Sequence, residues 1–394
     1  MGTGVRLEAR MKAEAEARMK AQAQARTKIP DMSRGARLAA YGTVSASLAS
    51  YSDHRLRELV DAAAPAGSGI GGQTMALEIA GTPVFVKQVP LTDLERRPEN
   101  VRSTANLFGL PPFCHYGIGR IGSPGSGAWR ELAVHTMTTD WVLAGDHEGF
   151  PLMYHWRVLP GPHRPVPEDL ADVERAVAHW GGGTGIRRRI EGLQQSTASL
   201  LLFLEHIPYN LHDWLSARIE AGGEAAGRAC AMVDSELRSG TSFMNARGML
   251  HFDAHFKNIL TDGRRLFFAD YGLALATRFA LTQDEAAFFR RHRGYDRHYT
   301  AAHLVNWLAF ALYGYGPEER EAFARTCAQG TPPEGVPPTI AEIFVRYAPI
   351  AVAMGDFQRR FQQESRSAPY PSDTLATTAG HPYDSSDGDP SRPL

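Results

Sequence analysis

The feature that most constrains this chain is the run HFDAHFKNILTDGRRLFFADYG, from His251 to Gly272. Two short apolar pieces, Ile259-Leu260 and Leu266 to Ala269, flank Asp262-Gly263, a dipeptide favoured in tight turns, so the run predicts a small β-hairpin. That hairpin brings two polar loops side by side, one holding Asp253 and Asn258 and the other Asp270. Phosphoryl transfer needs a carboxylate to take or orient the proton of an acceptor hydroxyl, and oxygen ligands to hold magnesium against a triphosphate. Asp253 suits the first task, and Asn258 and Asp270 suit the second. Taken singly, each residue also suits capping a turn; the joint spacing between apolar strands is what points to chemistry.

His251-Phe252-Asp253 with Asn258 resembles the catalytic loop of the protein-kinase superfamily, and Asp270-Tyr271-Gly272 resembles its DFG magnesium motif. Upstream, Gly67-Ser68-Gly69-Ile70-Gly71-Gly72 satisfies GxGxxG, and Val84-Phe85-Val86-Lys87 resembles the strand whose lysine contacts the α and β phosphates. Leu200 to Leu204, running into Glu205-His206-Ile207, resembles the hinge that holds adenine through backbone groups. The resemblance implies ATP and Mg2+ as cofactors. It also implies Asp253, Lys87 and Glu131 as catalytic residues, Asn258 and Asp270 as metal ligands, and nucleotide contacts from Gly67, Gly69, Gly72, Lys87, the Glu205 carbonyl and the Ile207 N–H. Glu131, in the helical-looking WRELAVH, is the anionic partner expected for Lys87, with Glu95 as the alternative.

Strand-rich sequence comes first and helix-rich sequence follows, which predicts an α+β chain. With the resemblance, this becomes a bilobal protein-kinase-like fold with a small β-rich N-lobe and a larger helical C-lobe. The expected division is a flexible helical extension over 1–50, an N-lobe over 51–207 with insertions at 91–127 and 161–198, a helical C-lobe over 208–363, and a disordered tail over 364–394. Residues 9–28 repeat ARMKAEAE, ARMKAQAQ and ARTK, helix formers whose eight-residue period gives no continuous apolar seam. The tail is crowded with Ser, Pro, Asp, Thr and Gly and lacks apolar periodicity.

A formal net charge of -1 supplies no field to draw the chain to nucleic acid. Three cysteines, far apart and in no CxxC pattern, argue against a disulfide framework or zinc site and fit a reducing cytoplasm. No apolar run is long enough to suggest a membrane span.

Several positions depart from protein kinases. Phe252 replaces the arginine that reads a phosphorylated activation loop, and Thr282-Gln283-Asp284-Glu285 is a capping box that leaves a short segment after Gly272, with little platform for a peptide. Asp253-Ala254-His255 is similar to the aminoglycoside and choline phosphotransferase branch. The expected acceptor is therefore a hydroxyl on a small molecule, a metabolite or antibiotic; a Ser/Thr protein kinase is the alternative, and a pseudokinase scaffold the second. The run Arg290, Arg291, His292, Arg293, Arg297, His298 reads either as a solvated helix face or as a site for an anionic acceptor.

Overall fold

A computed structural model describes residues 30–69, 72–119, 121–161, 166 and 168–378. Among the described residues, those from Tyr41 onward form one compact unit, and 30–40 belong to another. Helix α1 (Arg34–Ser50) crosses that boundary. Val44 and Leu48 on it are fully buried, so the extension expected to be flexible as far as residue 50 is ordered from 34 on. The repeat over residues 9–28 lies outside the described residues.

Helix α2 (Asp53–Asp61) starts at Ser52, whose hydroxyl accepts from the Arg55 N–H and so satisfies one of the helix's orphan donors. It leads into an antiparallel sheet of β1 (Ala64–Gly69), β2 (Gly72–Ile79), β3 (Thr82–Leu91), β4 (Met153–Pro160) and β5 (Ala198–Glu205) in the order β1-β2-β3-β5-β4. The glycine run is in part the strand β1: Gly67 stands opposite Thr74 and Gly69 opposite Gly72. All of β5 is buried, which explains its unbroken apolar sequence ASLLLFLE. Alternate residues go to opposite faces: Leu200, Leu202 and Leu204 join a cluster with Ala128, Trp129 and Leu132 of helix α4 (below), while Leu201 and Phe203 join the main core.

The first insertion is largely irregular and the second is mostly short helices. Residues 91–127 hold α3 (Asp93–Arg96), opened by a Thr92–Glu95 capping box, and then irregular chain with two 3-10 turns. Helix α4 (Ala128–Ala144) follows and stops at Gly145, whose φ of 81° gives the left-handed cap. Residues 161–198 hold α5 (Glu168–Ala171), α6 (Val173–His179) and α7 (Thr184–Gln194), and α7 buries Ile186, Ile190 and Leu193 along one face.

Beyond β5 the chain is mainly helical. Helices α8 (Leu211–Ala221) and α9 (Gly223–Ala246) precede β7 (Met249–Leu250), which pairs with β10 (Leu275–Ala276). The expected hairpin is β8 (Ile259–Thr261) with β9 (Leu266–Phe268), turned at Gly263 with φ 88° and joined by β6 (Tyr209–Asn210). The Thr282–Glu285 capping box opens α10 (Gln283–Arg291). Then come α11 (Tyr295–Tyr313), α12 (Pro317–Ala328), α13 (Pro338–Gln363) and α14 (Ser372–Thr378). Helix α11 is buried on most of its surface but leaves Phe310 half exposed. The tail, expected to be disordered from 364, is ordered as far as Thr378, because Leu375 is fully buried and Tyr370 stacks on His292. No described helix is long and apolar enough to cross a membrane.

Candidate functional site

Lys87 lies on β3 opposite Thr74 of β2 and Leu202 of β5. Its Nζ sits 2.6 Å from Glu131 Oε1 and 2.8 Å from Asp270 Oδ1. Strand, helix and loop thus converge on one ammonium that is almost wholly buried. Burial alone would discharge Lys87, but the two carboxylates outweigh it and hold its pKa well above the usual lysine value. Burial raises the Glu131 carboxyl above the usual range, against the opposing pull of Lys87 2.6 Å away. Burial would also raise Asp270, yet Lys87 holds it down at about 2.

Glu95, the alternative partner, is occupied elsewhere. Its Oε1 accepts from the Ala128 N–H at 2.8 Å, fixing the start of α4, and its Oε2 takes Arg189 Nη1 at 2.9 Å and the Thr92 hydroxyl at 2.7 Å. Glu95 belongs to the first insertion and Arg189 to the second, so this buried ion pair ties the two insertions together beside α4.

The loop before β8 is held from beneath. Asp296, at the start of α11, accepts the His251 N–H at 2.6 Å and the Phe252 N–H at 2.8 Å. Phe252 and Asp270 both have φ of 64°, a left-handed backbone costing a non-glycine residue about 1–2 kcal/mol, so each loop carries a residue kept there by its surroundings. The His251 ring bridges the loops: Nδ1 accepts from the Asp253 N–H at 3.3 Å, and Nε2 reaches the Ala269 carbonyl at 3.0 Å. These partners assign the proton to Nε2 of a neutral ring, consistent with burial lowering its pKa to about 4. Asn258 donates its amide to both the carbonyl and Oδ2 of Asp253, each at 3.0 Å. Burial, then the nearby charge of Asp270, push Asp253 up to about 8.

Asp296 was missed in the sequence because it stands among Arg293, Arg297 and His298, a run read as a possible charged face. The signal was an acid in the first turn of a helix that is largely apolar from Tyr299 onward. His292 and His298 are also internal: Tyr116 contacts His292, and His298 meets the Tyr370 hydroxyl at 2.6 Å. The basic run is therefore not one surface patch.

A cavity of about 360 Å³ opens over these loops. Its lining includes Asp253, His255, Asn258, Asp270 and Glu131, together with Arg189 and residues of a second glycine-rich stretch between Gly117 and Gly127. Gly117 lies so close to Asp253 that a Cβ there would fall 2.0 Å from Oδ1. In the sequence this stretch lies within the insertion at 91–127 and carries no recognisable motif. Lys87, expected to contact the phosphates, is not among the lining residues. The nucleotide contacts expected from Gly67, Gly69, Gly72, Glu205 and Ile207 are not part of this lining. Register nonetheless sets the glycine hairpin beside Lys87, since Gly67 pairs with Thr74 and Thr74 with Lys87. The Glu205 side chain accepts from the Leu152 N–H at 2.9 Å, clamping the end of β5. No group of three His, Cys, Asp or Glu able to hold a metal occurs among the described residues.

The arrangement can hold an anionic ligand and a hard cation next to the Asp253 carboxyl group. Neither the models of known protein families nor the curated proteins match this chain.

Proposed function

We propose that the chain is an ATP- and Mg2+-dependent phosphotransferase of bilobal protein-kinase-like architecture that moves the γ-phosphate of ATP to a hydroxyl of a small molecule. The observation carrying this reading is the convergence of Lys87, Glu131 and Asp270, residues far apart in sequence that meet within 2.8 Å. A solvated strand lysine has no reason to be buried against two acids, whereas a lysine that must stay charged beside phosphates does.

Each residue has a physical role in this reading. Lys87, steadied by Glu131, presents a fixed positive charge to the phosphates. Asn258 and Asp270 would hold magnesium, which would supply positive charge against the phosphates. The donors present fit it: Asn258 commits its amide nitrogen to Asp253 and keeps its carbonyl oxygen for a cation, and Asp270 remains an ionised carboxylate. Two protein ligands suffice for magnesium, which takes its other oxygens from phosphate and water, so the absence of a three-acid cluster among the described residues is compatible. Asp253, oriented by Asn258 and His251, aligns the acceptor hydroxyl and accepts its proton.

The short link from Gly272 to Thr282 supports a small acceptor over a peptide. Part of it, β10, is pinned to β7, and the Ala280 N–H is bonded to Thr104 of the first insertion. Magnesium-dependent ATP turnover that is lost in Asp253→Asn tests the reading; turnover unchanged by that substitution removes it.

A further inference from the structure

A second cavity, of about 220 Å³, lies on the other side of Gly117–Gly119 and shares that strap as a wall with the larger one. Its remaining lining is Tyr299, Ala302, His303 and Asn306 of α11 with Gln358 and Gln362 of α13. No side chain in this lining carries a formal charge. His303 is neutral as well, because burial lowers its pKa to about 3. Amide, phenol and imidazole groups supply both donors and acceptors, the complement of a ligand that presents hydroxyls. The volume is below the roughly 300–1,000 Å³ of clefts for drug-sized ligands, so a single ring is the size that fits.

The strap is the only wall that the two cavities share among their lining residues. It is built at its ends from glycine, with Gly119 at φ 142°, and Gly117 leaves no room for a methyl group against Asp253 Oδ1. In this conformation the strap occupies the space beside Asp253 that an attacking hydroxyl needs.

We propose that the uncharged cavity behind Gly117–Gly119 is the acceptor site, that it takes a neutral polyhydroxylated molecule of single-ring size, a sugar or cyclitol, and that the glycine strap moves off Asp253 to admit the reacting hydroxyl. This rests on the phosphotransferase reading. In the transfer the acceptor oxygen bonds to the γ-phosphorus, the bond from that phosphorus to the β,γ-bridging oxygen breaks, ADP leaves with the electron pair, and the hydroxyl proton passes to the Asp253 carboxylate. A polycationic amine finds no acid in the cavity to pair with, and a phosphorylated sugar finds no cation; both are disfavoured by desolvation without compensation.

The test uses the full chain, γ-labelled ATP and magnesium, with myo-inositol and D-glucose as neutral probes, glucosamine as the cationic probe and glucose 6-phosphate as the anionic one. Mg-ATP binding is measured in parallel. The expected result is label on a neutral probe. Asn306→Leu and Gln358→Leu should raise its KM about tenfold, as loss of one or two hydrogen bonds would, with the KM for ATP unchanged. Label only on the charged probes, label on protein, label on none of the probes despite Mg-ATP binding, or an unmoved acceptor KM in both leucine variants overturns the acceptor assignment alone. Failure of Mg-ATP to bind overturns the phosphotransferase reading and this one with it.

Discussion

Asp296 offers the sharpest test of how the site is held, because its two carboxylate oxygens are matched to two backbone donors in a place water barely reaches. In Asp296→Ala the N–H groups of His251 and Phe252 lose their acceptor while buried. At about 1–3 kcal/mol for each unsatisfied group, the substitution should cost roughly 2–6 kcal/mol of folding free energy. Asp296→Asn keeps one acceptor oxygen but turns an NH2 toward the other donor, so roughly half that loss is expected. The pH dependence gives an independent check. Burial, partly opposed by the two N–H donors, raises Asp296 from 3.8 to about 6. A group whose folded pKa is raised stabilises fully below its unfolded pKa, and that contribution is lost as pH rises through the folded value. Wild type should therefore lose ground against Asp296→Asn between about pH 4 and pH 6, by up to about 3 kcal/mol at roughly 1.4 kcal/mol per unit. Urea unfolding across that range, with ATP turnover measured at pH 7, reads both effects. A cost below about 1 kcal/mol for Asp296→Ala with turnover intact would refute the claim that this carboxylate holds the loop, and a gap independent of pH would refute its burial as a charge.

Two further outcomes follow from the buried ion pairs. Lys87→Met should lower turnover by roughly 10²–10³-fold, with a stability cost of no more than about 3–5 kcal/mol; unchanged kinetics would mean that the ammonium does not face phosphate. Arg130 Nη1 meets Glu285 Oε1 at 2.7 Å, joining α4 to α10. Burial would raise Glu285, but the Arg130 hydrogen bond and charge outweigh it and lower its pKa, so its contribution is present above about pH 4.5 and fades below. Glu285→Gln should thus cost about 3–5 kcal/mol at pH 7 and less at pH 4, and an equal cost at both pH values in urea unfolding would contradict the pairing.

How much of this was legible in the sequence depended on whether side chains carried a pattern. The β8–β9 hairpin and the Thr282 cap were readable because Asp262-Gly263 and the Thr-x-x-Glu spacing encode local geometry. Strand β5 was readable because both of its faces are buried and its apolar run is continuous. Strand β1 was not, since APAGSG has no apolar alternation and is a strand through its pairing with β2. The choice between Glu131 and Glu95 could not be made locally: both lie in first helical turns, and only tertiary packing sends one to Lys87 and the other to Arg189. Gly117 was hidden for the same reason, because its importance lies in a long-range approach to Asp253 and glycine leaves no side-chain signature. In the tail, Tyr370 and Leu375 are isolated apolar residues in polar sequence, too sparse to predict the packing that orders them.

The most direct test of the central claim is the turnover of γ-labelled ATP in the presence and absence of magnesium, with wild type and Asp253→Asn compared at matched Mg-ATP occupancy. The account predicts magnesium-dependent turnover in wild type and its loss in Asp253→Asn with nucleotide binding retained. Equal turnover in the two proteins, or Mg-ATP that does not bind wild type at all, would contradict it.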